Sequence, residues 1–240
     1  MNVGFIQILD ENFGSNKKHA YQVADILHKQ NLIWFAGGVR VTNTKEDDIK
    51  YYKSRGCSAL KYGVESGSQK ILDLMEKVFK LEDVYNALTS CFKHNVQSPI
   101  AVMVGMPGED ETTAAETGQL IGKVASMLGV HPEDMTYEIL YALPLPGTPL
   151  WEYGEQVGVI GTKDSDVVNY LTRVADAGTY KRYYINLNGA PISEILFWEY
   201  IVKFEASRTF RKEKKPTDHE LTKKYRKAFN VDKSFNPRYS

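Results

Sequence analysis

The sequence predicts an α/β fold built on a parallel sheet. From the start to about Tyr141, short apolar runs alternate with stretches of helical spacing. Those runs are near-continuous rather than strictly alternating, the pattern of strands covered by helices. Strand–helix–strand crossovers are right-handed, so the chain either closes toward a barrel or spreads as a doubly wound sheet. In both architectures ligands sit beyond the C-terminal ends of the strands.

The elements follow in order. "VGFIQIL" (Val3–Leu9) reads as a strand, and Lys17–Gln30 has helical spacing at Tyr21, Ala24, Ile26 and Leu27. "LIWFAGGVRV" (Leu32–Val41) is the second strand. Thr44–Gly56 is a helix with Thr44 as its N-cap and Gly56 as its stop. Ser58–Val64 is the third strand, followed by helical stretches at Ser68–Lys77 and Leu81–His94. Pro99–Met106 is the fourth strand, Asp110–Leu128 a helix and Met135–Leu143 the fifth strand. After Pro149 the alternation stops: Trp151 to Pro191 reads as tyrosine-rich and irregular. Ile192–Lys212 is a strong helix, apolar around most of its circumference, and is expected to be buried against the barrel or a partner.

Bulk properties exclude several classes. The 240 residues accommodate one sizeable domain, or one domain with an appendage. No apolar run approaches the roughly 20 residues that span a bilayer, and "MNVGFIQILDENF" has neither a basic region nor a cleavage site. Two cysteines, Cys57 and Cys91, do not make a secreted disulfide scaffold, so the cytoplasm is the default. Net charge is zero, yet Arg211 to Ser240 carries ten Lys/Arg against four Asp/Glu. Such a tail could serve an acidic partner, but it has few aromatics between its charges and no nucleic-acid motif accompanies it; a solvated tail is the expectation, and nucleic acid is not.

Polar, glycine-rich segments fall at the expected strand ends: "DENFG", "RVTN", "ESGS", "GMPGED" and "PLPGTP". Turns need Gly, Pro, Asn and Asp in any case, but they do not need a carboxylate or guanidinium at several of these ends. The order "DENF … GVESGSQKILDLM … VMVGMPGEDE … LPLPGTPLWE" resembles the radical SAM superfamily over about Val3 to Glu152. It is most similar to the branch that often carries an N-terminal cobalamin-binding domain, the magnesium-protoporphyrin cyclase and methyltransferase-like enzymes. The resemblance implies a partial (β/α) TIM-like barrel with a helical C-terminal extension. It also implies S-adenosyl-L-methionine (SAM) as cofactor, a [4Fe-4S] cluster that cleaves it to a radical, and possible cobalamin.

One departure is decisive for these expectations. The family's Cys-x3-Cys-x2-Cys loop after its first strand is absent, and Cys57 and Cys91 are too few and too far apart to replace it. The first strand here matches the family's second. The expectation is therefore a core barrel at residues 1–150 lacking the first strand, an irregular then helical extension at 151–212, and a basic, flexible tail at 213–240. On this reading the chain is the C-terminal part of a longer or split enzyme, with a cluster only in the complete form. The open edge of its sheet would take an upstream fragment or a second copy. A degenerate barrel that binds SAM or a partner is the alternative; an unrelated barrel hydrolase or lyase using Asp10, Glu11 and Glu65 is a third reading.

The resemblance carries over onto particular residues. Glu65 closes the third strand, where its carboxylate can accept from ribose hydroxyls or the methionyl ammonium. Ser66 and Ser68 add hydroxyls, Ser68 also standing as a helix cap, and Gly63 and Gly67 let backbone approach the ligand. Gly105 and Met106 would lay backbone against the adenine. Glu109 could serve either the ligand or its helix. Arg40 could pair with the methionyl carboxylate, or with Glu65 or Asp10. Asn12 ends the first strand and could face the ligand. On the fifth strand, Tyr137, Leu140 and Tyr141 could line the cavity or pack in the core. The histidines His28, His94 and His131 read as surface or helix-end residues, without metal spacing.

Overall fold

The computed structural model describes residues 3–174 and 184–213. Five parallel strands are hydrogen-bonded in sequence order: β1 (Phe5–Ile8), β2 (Ile33–Val39), β3 (Cys57–Glu65), β4 (Ile100–Val104) and β5 (Tyr137–Tyr141). Strand order equal to chain order, with the right-handed crossovers that parallel strand–helix–strand units follow, curls the sheet into half of a barrel rather than a doubly wound sheet. The crossovers are α1 (Lys17–Lys29), α2 (Glu46–Ser54), α3 (Gln69–Leu74) with α4 (Leu81–Lys93), and α5 (Glu111–Leu128). The partial barrel expected from the resemblance is the architecture found, and β1 and β5 are its two edges.

The core lies between the sheet and its helices. Trp34, Ala36, Leu60, Tyr62, Val64, Ile100, Val102 and Val104 alternate along β2, β3 and β4 and are wholly or almost wholly buried. The residues between them face the concave inner side, because successive strand residues point to opposite faces. Asp48 ties α1 to the start of α2: it accepts from Lys17 at 2.7 Å and from the Lys45 amide at 2.8 Å. Thr44, expected to be the cap of α2, is not: its hydroxyl turns inward to Tyr62 at 2.8 Å, and Lys45 occupies the cap position. Gly56 does end that segment, at φ 89°, where a side chain would strike the Leu32 carbonyl at 2.6 Å.

The region after β5 is more regular than expected. Among the described residues two helices occupy it, α6 (Pro149–Gln156) and α7 (Asp164–Val174), before α8 (Ile192–Phe210). Thr148 caps α6, accepting from the Trp151 amide at 3.3 Å, and Pro149 stands at the first helical position, so local chemistry explains the correction. The buried face of α8 is Ile195, Trp198, Val202 and Ala206. It lies against α5 at the level of Gly118 and Gly122, where any side chain would come within 2.4 Å of Val202 O and 2.5 Å of Ala206 O. Two glycines four apart thus let the two backbones touch, which is why α8 is buried on α5; no described strand pairs with the outer edge of β1. The residues of the basic tail from 214 onward, and 175–183 within the tyrosine-rich stretch, lie outside the described residues. No described helix is long and apolar enough to cross a membrane.

Candidate ligand site at the mouth of the half-barrel

At the C-terminal end of β3 the chain adopts an unusual backbone. Glu65 sits at φ 68°, in the left-handed region that costs a non-glycine residue roughly 1–2 kcal/mol. The turn folds its side chain back along the inner face: Glu65 Oε1 lies 2.8 Å from where a Gly63 Cβ would be, so a side chain at Gly63 would push the carboxylate aside. The same oxygen accepts from Lys77 Nζ at 3.0 Å. Both side chains are largely but not wholly covered, 18% exposed for Glu65 and 28% for Lys77. Strain of this kind is held at sites where a side chain must be aimed.

The rest of "ESGS" faces elsewhere. Ser66 is buried against α5, its hydroxyl 3.2 Å from Thr117 Oγ1 and accepting from the Ser68 amide at 3.1 Å. The Gly67 amide donates to Thr117 Oγ1 at 2.9 Å, and a side chain on Gly67 would meet Thr117 Cα at 2.5 Å. The close approach at Gly67 is therefore to a helix, and not to the mouth. Ser68 stands at the N-cap position of α3 without making the capping bond; its hydroxyl is buried with no partner among the described residues. Ser66 and Gly67 are thus structural, while Ser68 retains an unused hydroxyl beside the site.

The end of β4 is held from two sides. Glu109 Oε2 accepts from the amides of Gly105 at 2.6 Å and Met106 at 3.1 Å. Glu109 is 5% exposed, and burial pushes its carboxyl up to about 7, even though the two amides pull it down. Its second oxygen has no partner among the described residues. The carbonyls at this strand end are taken by the segment before α8. Tyr184 OH donates to Gly105 O at 2.8 Å, and Asn188 Nδ2 donates to Met106 O at 2.6 Å and to Glu109 O at 2.9 Å. Gly105, at φ 88°, makes room for the Tyr184 hydroxyl, 2.5 Å from where its side chain would be. Glu109 thus serves the backbone turn, and the Gly105 amide, carbonyl and glycine space are all used within the chain.

The remaining candidates are dispersed. Arg40 is exposed after β2 and pairs with neither Glu65, which holds Lys77, nor Asp10. Asn12 accepts from Asn43 Nδ2 at 2.8 Å and so ties the β1 and β2 ends together. Tyr141 does not line the cavity. It pairs in register with Val104, on the helix-facing side, and its hydroxyl donates to Glu199 of α8 at 3.1 Å. Leu140, paired with Met103, faces inward instead. His94 caps the end of α4 against Glu46 at 2.9 Å. Lys77, Tyr184 and Asn188 were not legible as site residues: the partners are distant in sequence, and no local pattern marks them.

The cysteines do not fit an iron–sulfur cluster. Both are buried and free, and burial, with a neighbouring cysteine for Cys57, pushes the thiols up to about 12 for Cys57 and about 11 for Cys91. Cluster ligands are thiolates, and the described residues contain no group of three His, Cys, Asp or Glu that could hold a metal ion.

Known proteins resemble this arrangement. No family model matches the chain. An uncharacterized methyltransferase of Pyrococcus horikoshii is 28% identical over 150 residues, covering 62% of this chain and 31% of that protein. The tRNA-2-methylthio-N(6)-dimethylallyladenosine synthase of Clostridium tetani is 31% identical over 164 residues, covering 63% and 34%. The Buchnera aphidicola synthase of that name is 28% identical over 167 residues, covering 63% and 36%. The chain thus spans about a third of the length of these relatives. Among solved structures, the radical S-adenosylmethionine methyltransferase TsrM of Kitasatospora setae, with cobalamin and a [4Fe-4S] cluster bound, superposes with a TM-score of 0.54. Identity is 16%, covering 67% of this chain and 32% of that one. Elp3 of Methanocaldococcus infernus gives 0.51 at 15% identity, covering 87% and 55%. From strand order, curvature and these relationships, the described residues share the half-barrel fold of the TsrM and Elp3 structures, extended by helices after β5.

Proposed function

We propose that the chain is the C-terminal part of a radical SAM enzyme and binds SAM at the C-terminal mouth of its half-barrel. One observation supports this reading above the others: Glu65, at the C-terminal end of β3, holds a strained backbone with its carboxylate on the inner face, and its bond to Lys77 leaves further acceptor capacity on that carboxylate. A carboxylate there suits the hydroxyls of a ribose or an ammonium group. Ser68, with its unused buried hydroxyl, stands three residues on. The radical chemistry, its substrate and any cobalamin belong to the whole protein in this proposal. No step is assigned to a cluster, because Cys57 and Cys91 do not fit one.

The open edge of β1 is the proposed contact for an upstream segment or a second copy of the chain. Val3, Phe5 and Leu9 are 56%, 54% and 82% exposed along it, and an apolar unpaired edge invites another strand. A second functional reading, a barrel that binds SAM without radical chemistry, draws on the buried, protonated cysteines and on the internal use of the Gly105 backbone. Saturation-transfer NMR with SAM separates binding from its absence: transfer to the adenosine protons, displaced by S-adenosylhomocysteine, supports the site. Absence of transfer at millimolar SAM removes both readings.

A further inference from the structure

We propose that Lys61 is a carboxylate-binding station on the inner wall of the half-barrel and that Glu138 is its exchangeable latch. The ligand class is a small molecule with an apolar body and a carboxylate. This goes beyond the SAM reading and does not depend on it.

The strand register places both groups inside. Gly63 pairs with Ala101, and Ala101 with Glu138, so these three share one face. Lys61, two residues before Gly63, lies on the same face, opposite the buried Leu60 and Tyr62. Lys61 Nζ reaches Glu138 Oε2 at 2.6 Å, from central β3 to edge β5 across β4. The residue in the path is Ala101, and Gly63 stands beside it, so small side chains clear the way for this contact.

The ion pair has no evident structural duty. β4 is already hydrogen-bonded to both strands that it would join. Both side chains retain solvent access, 29% for Lys61 and 52% for Glu138, and a partly solvated pair of this kind adds little to stability. The asymmetry decides which partner can leave. Lys61 is the less exposed and rises from a strand paired on both sides; Glu138 is on an edge strand and half in water. The nearest charge along β3, Glu65, is already answered by Lys77. A ligand anion therefore competes with Glu138 for Lys61, and the apolar body of the ligand, laid against the wall, displaces water from the new pair and strengthens it. The wall also fits an apolar body. Phe5 and Ile33 pair directly and are 54% and 53% exposed, while Phe35, Met103 and Leu140 are half-buried on the same face.

The test uses this chain with no SAM present, so its outcome is independent of the Glu65 site. Three probes of one shape, 3-phenylpropionate, 3-phenylpropylamine and 3-phenylpropanol, are titrated while the Met103 methyl is followed by NMR, its signal assigned with Met103→Leu. The carboxylate alone is expected to shift Met103 saturably. Lys61→Met should weaken it at least tenfold, Lys61→Arg should keep it, and Glu138→Gln should tighten it several-fold by removing the competitor. A merely structural ion pair would make both single losses act alike. Equal binding of the amine or alcohol, weakening by Glu138→Gln, or no Met103 shift overturns the proposal. If Lys61→Met fails to fold, the sign of the Glu138→Gln effect decides alone.

Discussion

The carboxylate of Glu65 meets the ammonium of Lys77 at 3.0 Å from a backbone turned to φ 68°. That pair has two separable components, an ion pair and a strained residue. Glu65→Ala and Glu65→Gly both lose the ion pair, but only glycine also relieves the strain. After the glycine's extra unfolded-state entropy is set against this, Glu65→Gly should be the more stable by roughly 0.5–1 kcal/mol. Urea denaturation of the two variants measures the difference; equal midpoints would mean that no strain is held at Glu65.

Glu109 predicts a pH dependence. Its folded carboxyl, near 7, lies above its ordinary 4.5 because of burial. The protonated form is thus favoured by the fold, so the stabilisation is complete below about 4.5 and is lost as pH rises through about 7. Global stability should fall across that window by an amount on the order of 1–3 kcal/mol. Glu109→Gln, which keeps the shape without the titration, should flatten the profile. A wild-type profile unchanged by Glu109→Gln would place the titration elsewhere.

The β1 edge predicts self-association. Sedimentation of the chain should give a mass that rises with concentration, and Phe5→Lys should lower it, since a lysine on an edge strand discourages pairing. A monomer at every concentration would show that the edge is protected.

Iron binding tests the cysteine geometry. Anaerobic reconstitution of this chain should yield iron and sulfide well below one cluster per chain, because its two thiols are buried and protonated. A stable cluster near full occupancy would contradict that.

Much of the half-barrel was legible because its strands are buried on the helix side and end in glycine or polar turns. Trp34, Tyr62 and Val102 mark the core even without their partners. The inner face was harder. Tyr141 and Leu140 are neighbours with opposite fates, and only the pairing of Tyr141 with Val104 assigns them. In "ESGS", Ser66 and Gly67 were expected to face a ligand, whereas Thr117, some fifty residues on, draws both to α5. The Tyr184 and Asn188 bonds to the β4 end span about eighty residues and lack any local signature. α6 was readable: Thr148 and Pro149 are a cap and a first-turn proline, and their signal was outweighed by the tyrosine-rich composition that follows.

The most direct test of the account is calorimetric SAM binding to the wild type, Glu65→Ala and Glu109→Ala. Glu65 keeps a partly exposed carboxylate at the end of β3, whereas Glu109 is buried beneath its own turn. Loss of a charged hydrogen bond costs about 1.5–3 kcal/mol, so Glu65→Ala should weaken SAM by roughly 10- to 150-fold. Glu109→Ala should act mainly on stability and weaken SAM less. Equal effects of the two variants, or SAM affinity untouched by Glu65→Ala, would contradict the assignment of the site.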